Sequence, residues 1–381
     1  MLLRPYAVVI RGELQWGLEV EVDEGVITRI GVQTGVPDDY LLCPAFVNAH
    51  SHFEYRGLMG KVEGDDFFSW IRAIAEAKPS QSANDVVRDC RVAAEENRAT
   101  GVAYVWEHSD RPGSALAMKE VGLEGVVFQE LITFREHLAP GEKLAEVHQR
   151  AADQYRASNI PCYVNPHALY TVDEGSIEKV LHNVGPKSVH CAESRFERDL
   201  TVHGEGPFAE FQRANGWTVV PRGYSPVAFW NACGYLRPGV QLVHCCDVDE
   251  MDIDRIARSG ASVAHCPRSN VSLNCPNAPV RRMLAAGIPV GLGMDSAASS
   301  GEIDMFEEMR WALEVSRRRG EALEGEDVLW MATGGGAKSV RLSGWEIEVG
   351  SQVPLLKLGV DECYSAEELI EKGSPACVSW V

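Results

Sequence analysis

The sequence predicts an α/β protein, a (β/α)8 TIM barrel with a small β-sandwich domain built from both chain termini. Three observations lead there. A unit recurs from about residue 85 onward: a helical stretch ends in Gly, an apolar run follows, and that run ends in polar residues. Eight such runs can be counted, at 42–49, 102–106, 123–131, 160–165, 187–191, 240–245, 261–266 and 288–294. The flanks, 1–41 and from about 345, alternate and turn often instead. Strands apolar on both faces belong in a buried parallel sheet. Eight of them alternating with helices over about 250 residues make a barrel whose chemistry sits at the strand C-terminal ends. A doubly wound open sheet is the plainer alternative, but it would not naturally supply eight strands with polar ends.

Taken in order, AVVIRG, GLEVEVDEG and VITRIGVQ read as antiparallel strands. The helix NDVVRDCRVAAEENRAT ends at Gly101, and VAYVW then leads to Glu107-His108-Ser109. DEMDIDRIARS ends at Gly260, before ASVAHC and Pro267-Arg268-Ser269-Asn270. APVRRMLAA ends at Gly287, before IPVGLGM and Asp295-Ser296. Gly suits the left-handed cap that turns a helix back toward a strand. The tail carries WEIEVGSQVP, LLKLGV and PACVSWV, read as further short strands. The two flanks are therefore expected to pair as one composite β domain, 1–41 with 345–381, around a barrel spanning 42–344.

Composition narrows the function. A net charge of −19 argues against nucleic-acid or anionic-membrane partners, which need a basic face. The 45% hydrophobic and 24% charged fractions exclude disorder. No apolar run approaches the ~20 residues of a membrane helix, and MLLRPYAVVIRGELQW is broken by Arg4, Arg11 and Glu13, unlike a signal peptide. The eleven cysteines are odd in number and form no C-x-x-C, as expected of reduced thiols in the cytoplasm. A small-molecule substrate is the expected partner.

The strand ends carry the chemistry. The first run leads into Phe46-Val47-Asn48-Ala49-His50-Ser51-His52, and residues two apart in an extended chain face the same side. An H-x-H alone is weak. Its value rises because His190, His244 and Asp295 end other runs, so three histidines and a carboxylate match the preferences of a zinc-type ion. Glu193 follows His190 by three residues, a position suited to a proton shuttle, or more plainly to orienting a ligand. His244 can orient or polarise a metal-bound water, and Asp295 can accept its proton. A metal ion lowers the pKa of such a water to about 7.

Together CPAFVNAHSH, the element His190-Cys191-Ala192-Glu193, LVHCC, HCPRSN and GLGMDS resemble the amidohydrolase superfamily, in its branch of nucleoside and nucleobase deaminases and chlorohydrolases. The resemblance covers essentially the whole chain. It implies metal ligation by His50, His52, His190 and Asp295, with Glu193, His244 and Asp295 catalytic. Binuclear members add a lysine at the end of the fourth strand. PCYVNPHALYT has none, which implies one divalent ion, Zn2+ foremost, with Fe2+ or Mn2+ able to share the ligand set. The implied reaction is hydrolytic deamination of an aromatic ring, and a chloride could leave by the same addition and elimination. Relatives are often dimers or larger.

For substrate contacts, His167 ends a barrel strand and resembles the element that meets ribose or base in nucleoside-deaminating relatives. Phe67, Phe68 and Trp70 are candidates for an apolar lid, although aromatics packing a helix are commoner. Glu76 is a candidate for sugar hydroxyls. Arg268 and Arg135 are candidates for an anionic substrate group; the plain alternative is that each pairs with a local carboxylate. Two arginines would suit a carboxylate-bearing adenosine derivative. CPRSN and the compact chain look most like the aminodeoxyfutalosine deaminases, which points to 6-amino-6-deoxyfutalosine of menaquinone synthesis. S-adenosylhomocysteine, methylthioadenosine or adenosine is the nearest alternative. A free base (guanine, cytosine, pterin) or a triazine follows, and a non-catalytic metal-binding scaffold is the remote one.

Overall fold

The computed structural model describes residues 1–381. Eight parallel strands form the barrel: Phe46–Ser51, Val102–Ser109, Glu124–Leu131, Cys162–Pro166, Lys187–Cys191, Val240–His244, Ser262–His265 and Val290–Leu292. They pair as two arcs, the first four and the last four, each in sequence order. Two seams close the ring. Ala168 bridges to His190 and Ser51 to Asp295, both in parallel sense. The seams lie at the strand C-terminal ends and are hydrogen-bonded through site residues. At the first seam His190 N–H donates to His167 O at 3.1 Å. Asp295 N–H donates to His50 O at 3.0 Å and His52 N–H to Asp295 O at 3.1 Å. Barrel closure and site assembly are thus the same event.

Helices cover the barrel as the Gly punctuation predicts. Gly260 caps the helix Glu250–Ser259 at φ 70°, and the helix Ala83–Ala99 starts on a capping box between Ser82 and Asp85. Such a box satisfies two of the amide donors left free in a first helical turn.

The chain ends meet in one five-stranded sheet, ordered Val378–Trp380, Leu355–Leu358, Asp38–Pro44, Pro5–Ile10 and Glu13–Trp16. Leu2–Leu3, Leu18–Asp23 and Val26–Val32 make a separate three-stranded sheet. Two expectations need correction. The run 42–49 is not one strand: Leu42–Pro44 pair with Leu355–Lys357 in the terminal sheet, and the barrel strand begins at Phe46. Ala45 is the junction, its N–H donating to Pro354 O at 2.8 Å and its carbonyl accepting from Trp345 Nε1 at 2.7 Å. Nor is WEIEVGSQVP a strand. That stretch carries turns and irregular backbone, and the last sheet strands start at Leu355. No helix is long and apolar enough to cross a membrane, and all eleven cysteines are free.

Candidate active site

The barrel strands deliver their side chains by breaking out of extended conformation at the C-terminal end. Ala192, His244, Cys245 and Asp295, all non-glycine, take left-handed φ values of 53°, 77°, 48° and 53°. Such residues cost of order 1–3 kcal/mol each and persist where the surroundings over-determine them. Here they turn the chain from the fifth, sixth and eighth strands while the side chains stay over the barrel axis. Gly293 allows the first and eighth strands to close up, since a Cβ there would meet His50 Cβ at 2.8 Å.

His50 and His52 do share one side, with ring centroids 4.8 Å apart. His50 Nε2 and His52 Nε2 lie 3.7 and 3.8 Å from Asp295 Oδ1, and His52 Nε2 lies 3.4 Å from His190 Nε2. All four residues are buried. Burial, with the neighbouring imidazoles, pushes His50 well below its ordinary pKa. Burial takes His52 down to about 4 against the opposing pull of Asp295, and lowers His190 as well. These rings are therefore neutral at neutral pH, with lone pairs gathered in a dry space beside a carboxylate. His50 Nε2 has no hydrogen-bond partner at all. Bare lone pairs facing one another repel, and a divalent cation is what such a nitrogen and carboxylate set accommodates. The residues fit a metal ion.

Neighbouring groups orient this set. His190 Nδ1 donates to His167 O at 3.1 Å, which leaves Nε2 free toward His52. His108 Nδ1 meets His50 Nδ1 at 3.1 Å, so that His50 presents Nε2 toward Asp295. Partners of this kind fix the tautomer and direction of ligating histidines. Glu130 Oε1 lies 3.6 Å from His190 Nδ1, and burial followed by the charges of Asp110 and Glu54 keeps its carboxyl well above the ordinary pKa.

Glu193 is buried with Oε1 3.4 Å from His244 Nε2. Burial, then the Asp295 and Glu197 charges, raise its pKa well above the ordinary value. It can therefore hold a proton at neutral pH and give it up inside the cavity. Asn270 Nδ2 contacts the far side of the His244 ring, Nδ1, at 3.0 Å, and burial lowers His244 to about 3.

These groups form the floor of a cavity of about 500 Å³, within the size range of small-molecule sites. Phe67, Phe68 and Trp70 line it, as does His167, whose Nδ1 is 2.8 Å from Thr171 Oγ1. The aromatic stripe lines the cavity and also packs, since Phe68 sits edge-on to Phe208 and Phe211 at 5.2 and 5.9 Å. Glu76 lines the rim and is 73% exposed, 3.6 Å from Arg72.

The two arginines part company. Arg135, at φ 58°, lines the cavity, makes no ion pair, and lies over the Phe211 ring at 5.4 Å. Arg72 lies over the same ring at 5.6 Å. Arg268 is turned away from the cavity and does not line it. Its Nη1 donates to Glu302 O at 2.7 Å and its backbone N–H to Glu308 Oε1 at 3.1 Å. The local carboxylate reading is the one the geometry supports, because Arg268 Nη1 also lies 3.9 Å from Oε2 of fully buried Glu308.

Sequence reading missed His108, Glu130, Asn270 and Arg72. His108 carried a signal, because it follows the second strand as His190 follows the fifth. Asn270 lies in the quoted HCPRSN element two residues beyond Arg268. Glu130 and Arg72 had no local signal.

Residues 41–353 match the amidohydrolase family. The chain belongs to that family. It is accordingly a hydrolytic enzyme, and the resemblance carried by the strand-end motifs holds. A 5-methylthioadenosine/S-adenosylhomocysteine deaminase of Desulforudis audaxviator is 29% identical, over 92% of this chain and 81% of that protein. Among solved structures, an adenosine deaminase from Xanthomonas campestris with bound zinc superposes with a TM-score of 0.82 at 25% identity, covering 99% of this chain and 90% of its own. Helicobacter pylori aminofutalosine deaminase in complex with methylthio-coformycin gives a TM-score of 0.83 at 20% identity, covering 99% of both chains, a likeness of fold.

Proposed function

We propose that this amidohydrolase removes the exocyclic amino group of an adenine ring in a nucleoside derivative with an anionic tail, 6-amino-6-deoxyfutalosine foremost. The observation that carries the reading is the pairing of two ends of one cavity. At its floor Glu193, whose carboxyl burial pushes above its ordinary pKa, stands beside His244 and the cation-fitting set; at its rim Arg135 has no carboxylate partner. His50, His52, His190 and Asp295 would hold one divalent ion, Zn2+ as the first choice. When bound, the ion supplies a water acidic enough to be a nucleophile at neutral pH.

The chain's own groups do the rest. Glu193 gives its proton to the ring nitrogen next to the amine-bearing carbon, so that carbon accepts the nucleophile. His244 and Asp295 take up the two protons that the water oxygen loses in turn; one goes to the amine, which departs as ammonia as the carbonyl forms, and the other returns to Glu193. Glu193, once ionised, is stabilised by the adjacent His244 ring at 3.4 Å. Phe67, Phe68 and Trp70 cover the ring face and exclude bulk water, while His167 and Glu76 meet the sugar. Arg135, with Arg72 across Phe211, receives the tail's negative charge.

The test is ammonia release by zinc-loaded enzyme from aminodeoxyfutalosine, S-adenosylhomocysteine, methylthioadenosine, adenosine, adenine, guanine and cytosine. Strong preference for an acid-tailed adenosine supports the reading. Preference for methylthioadenosine, which stands beside S-adenosylhomocysteine in the name of the Desulforudis relative, moves the assignment to an uncharged tail. Turnover of a free base alone, or of none of them, refutes it.

A further inference from the structure

The opposite end of the barrel holds a second cavity, of about 420 Å³, walled by the first residues of the second to sixth strands. Its charge is out of keeping with the molecule. In a chain of net charge −19, no carboxylate lines this cavity, whereas Lys187, Arg237 and Arg341 do. None of the three makes an ion pair, although most of the chain's other arginines and lysines do. Lys187 is 1% exposed and its ammonium donates only to carbonyls, Asn183 O at 2.9 Å and Gly185 O at 3.3 Å. A cation buried without a counter-charge is costly. Burial and the nearby Arg237 accordingly draw its pKa down to about 8.

The two arginines are held by backbone features, not by acids. Arg237 Nη2 donates to Leu181 O at 3.0 Å. Arg341 adopts a left-handed φ of 63° and its side chain makes no hydrogen bond within the protein. Its guanidinium lies over Gly239, at φ 95°, where a Cβ would stand 2.2 Å from Nη1. The left-handed φ favours glycine there, and its bare Cα lets the guanidinium lie close. Between the cations the wall is aromatic, with Tyr104 and Tyr163 half-buried and Trp106 behind them. Glu124, beside Tyr104 across the strand pairing, is the nearest acid on the sheet; it is exposed and outside the lining.

We propose that this cavity at the barrel floor binds a small anion carried on a planar ring, with Arg237 and Arg341 gripping a phosphate or carboxylate group, Tyr104 and Tyr163 flanking the ring, and Lys187 supplying positive potential from the buried part of the wall. Guanidinium groups suit either oxyanion, because two parallel N–H donors match two acceptor oxygens. The site is separate from the catalytic cavity, which shares no lining residue with it.

The experiment is calorimetric titration of the metal-loaded enzyme with uridine 5′-monophosphate, benzoate and inorganic phosphate, at low and high salt. Uracil and benzene rings lack the amino group that the catalytic cavity processes. Saturable binding of at least one ring-bearing probe is expected, weakened by salt. Arg237→Gln and Arg341→Gln, both exposed, should each weaken it by about tenfold or more, the scale of one charge-assisted hydrogen bond. Deamination kinetics of both variants should match the parent, and Arg135→Gln should leave the binding intact. Preference for the nucleotide or for benzoate assigns the oxyanion as phosphate or carboxylate. The proposal is overturned if neither ring-bearing probe binds, if Arg237→Gln and Arg341→Gln bind like the parent, or if Arg135→Gln abolishes binding. Inorganic phosphate binding as tightly as the nucleotide would remove the role of the rings.

Discussion

Replacing Glu193 by Gln separates metal holding from proton transfer. The substitution keeps shape and volume, so Gln reaches the same place beside His244 Nε2, 3.4 Å away in the parent. The metal-fitting groups, His50, His52, His190 and Asp295, are untouched, and metal content measured by mass spectrometry should equal the parent's. The amide can donate a hydrogen bond to the ring nitrogen but cannot transfer its proton. A positioned general acid contributes roughly 10²–10⁴-fold, so kcat should fall by that factor, or about 3–5 kcal/mol of barrier. Stability moves little, because burial already keeps the Glu193 carboxyl well above its ordinary pKa. Burial and the neighbouring acidic charges already disfavour the ionised carboxyl there, so a neutral amide of the same shape is tolerated. Steady-state ammonia release and thermal unfolding read the two effects. Metal loss, or a kcat within twofold of the parent, would refute the assignment of Glu193 as acid.

Three other outcomes are expected. Arg135→Gln should raise KM for an acid-tailed adenosine about tenfold, the scale of one charge-assisted contact, and leave adenosine unchanged; equal effects on both would make Arg135 structural. Arg268→Ala should act on folding instead. It keeps the backbone N–H that Glu308 accepts from but removes the guanidinium, with its hydrogen bond to Glu302 O and its 3.9 Å ion pair with buried Glu308, so we expect a loss of about 1–3 kcal/mol in denaturant unfolding and equal kinetics on both substrates. In the three-stranded sheet, Glu19 is held at about 2 by the Arg29 hydrogen bond and then by Thr34. A depressed carboxylate stabilises above its ordinary pKa of 4.5 and loses that contribution as pH falls toward 2. The melting-temperature advantage of the parent over Glu19→Gln should therefore be present at pH 7 and vanish between pH 5 and 2. An advantage independent of pH would sink the charge argument.

How far the sequence reaches can be followed residue by residue. His50, His52, His190, His244 and Asp295 were legible because each ends an apolar strand, and in a barrel all strand ends converge on one mouth. Glu193 was legible from its three-residue offset to His190. The orienting partners were not. His108 meets His50 only because the first and second strands are neighbours in register, and Arg72 meets Arg135 only across Phe211, far along the chain.

By itself, then, the sequence determined the barrel, the gathering of strand-end side chains and the family, since these rest on local periodicity and on residue types at fixed places in a repeated unit. It also marked both chain ends as strand-forming. Tertiary structure decided what depends on distance in the chain. Leu42–Pro44 read as barrel strand but belong with Leu355–Lys357, whose backbone offers them a ladder. Arg268 looked free to bind substrate, but Glu308, forty residues on, claims its backbone N–H, and Glu302 its guanidinium. A side chain's type is fixed by sequence, while its partner is fixed by which buried group most needs one, and burial is a property of the whole fold.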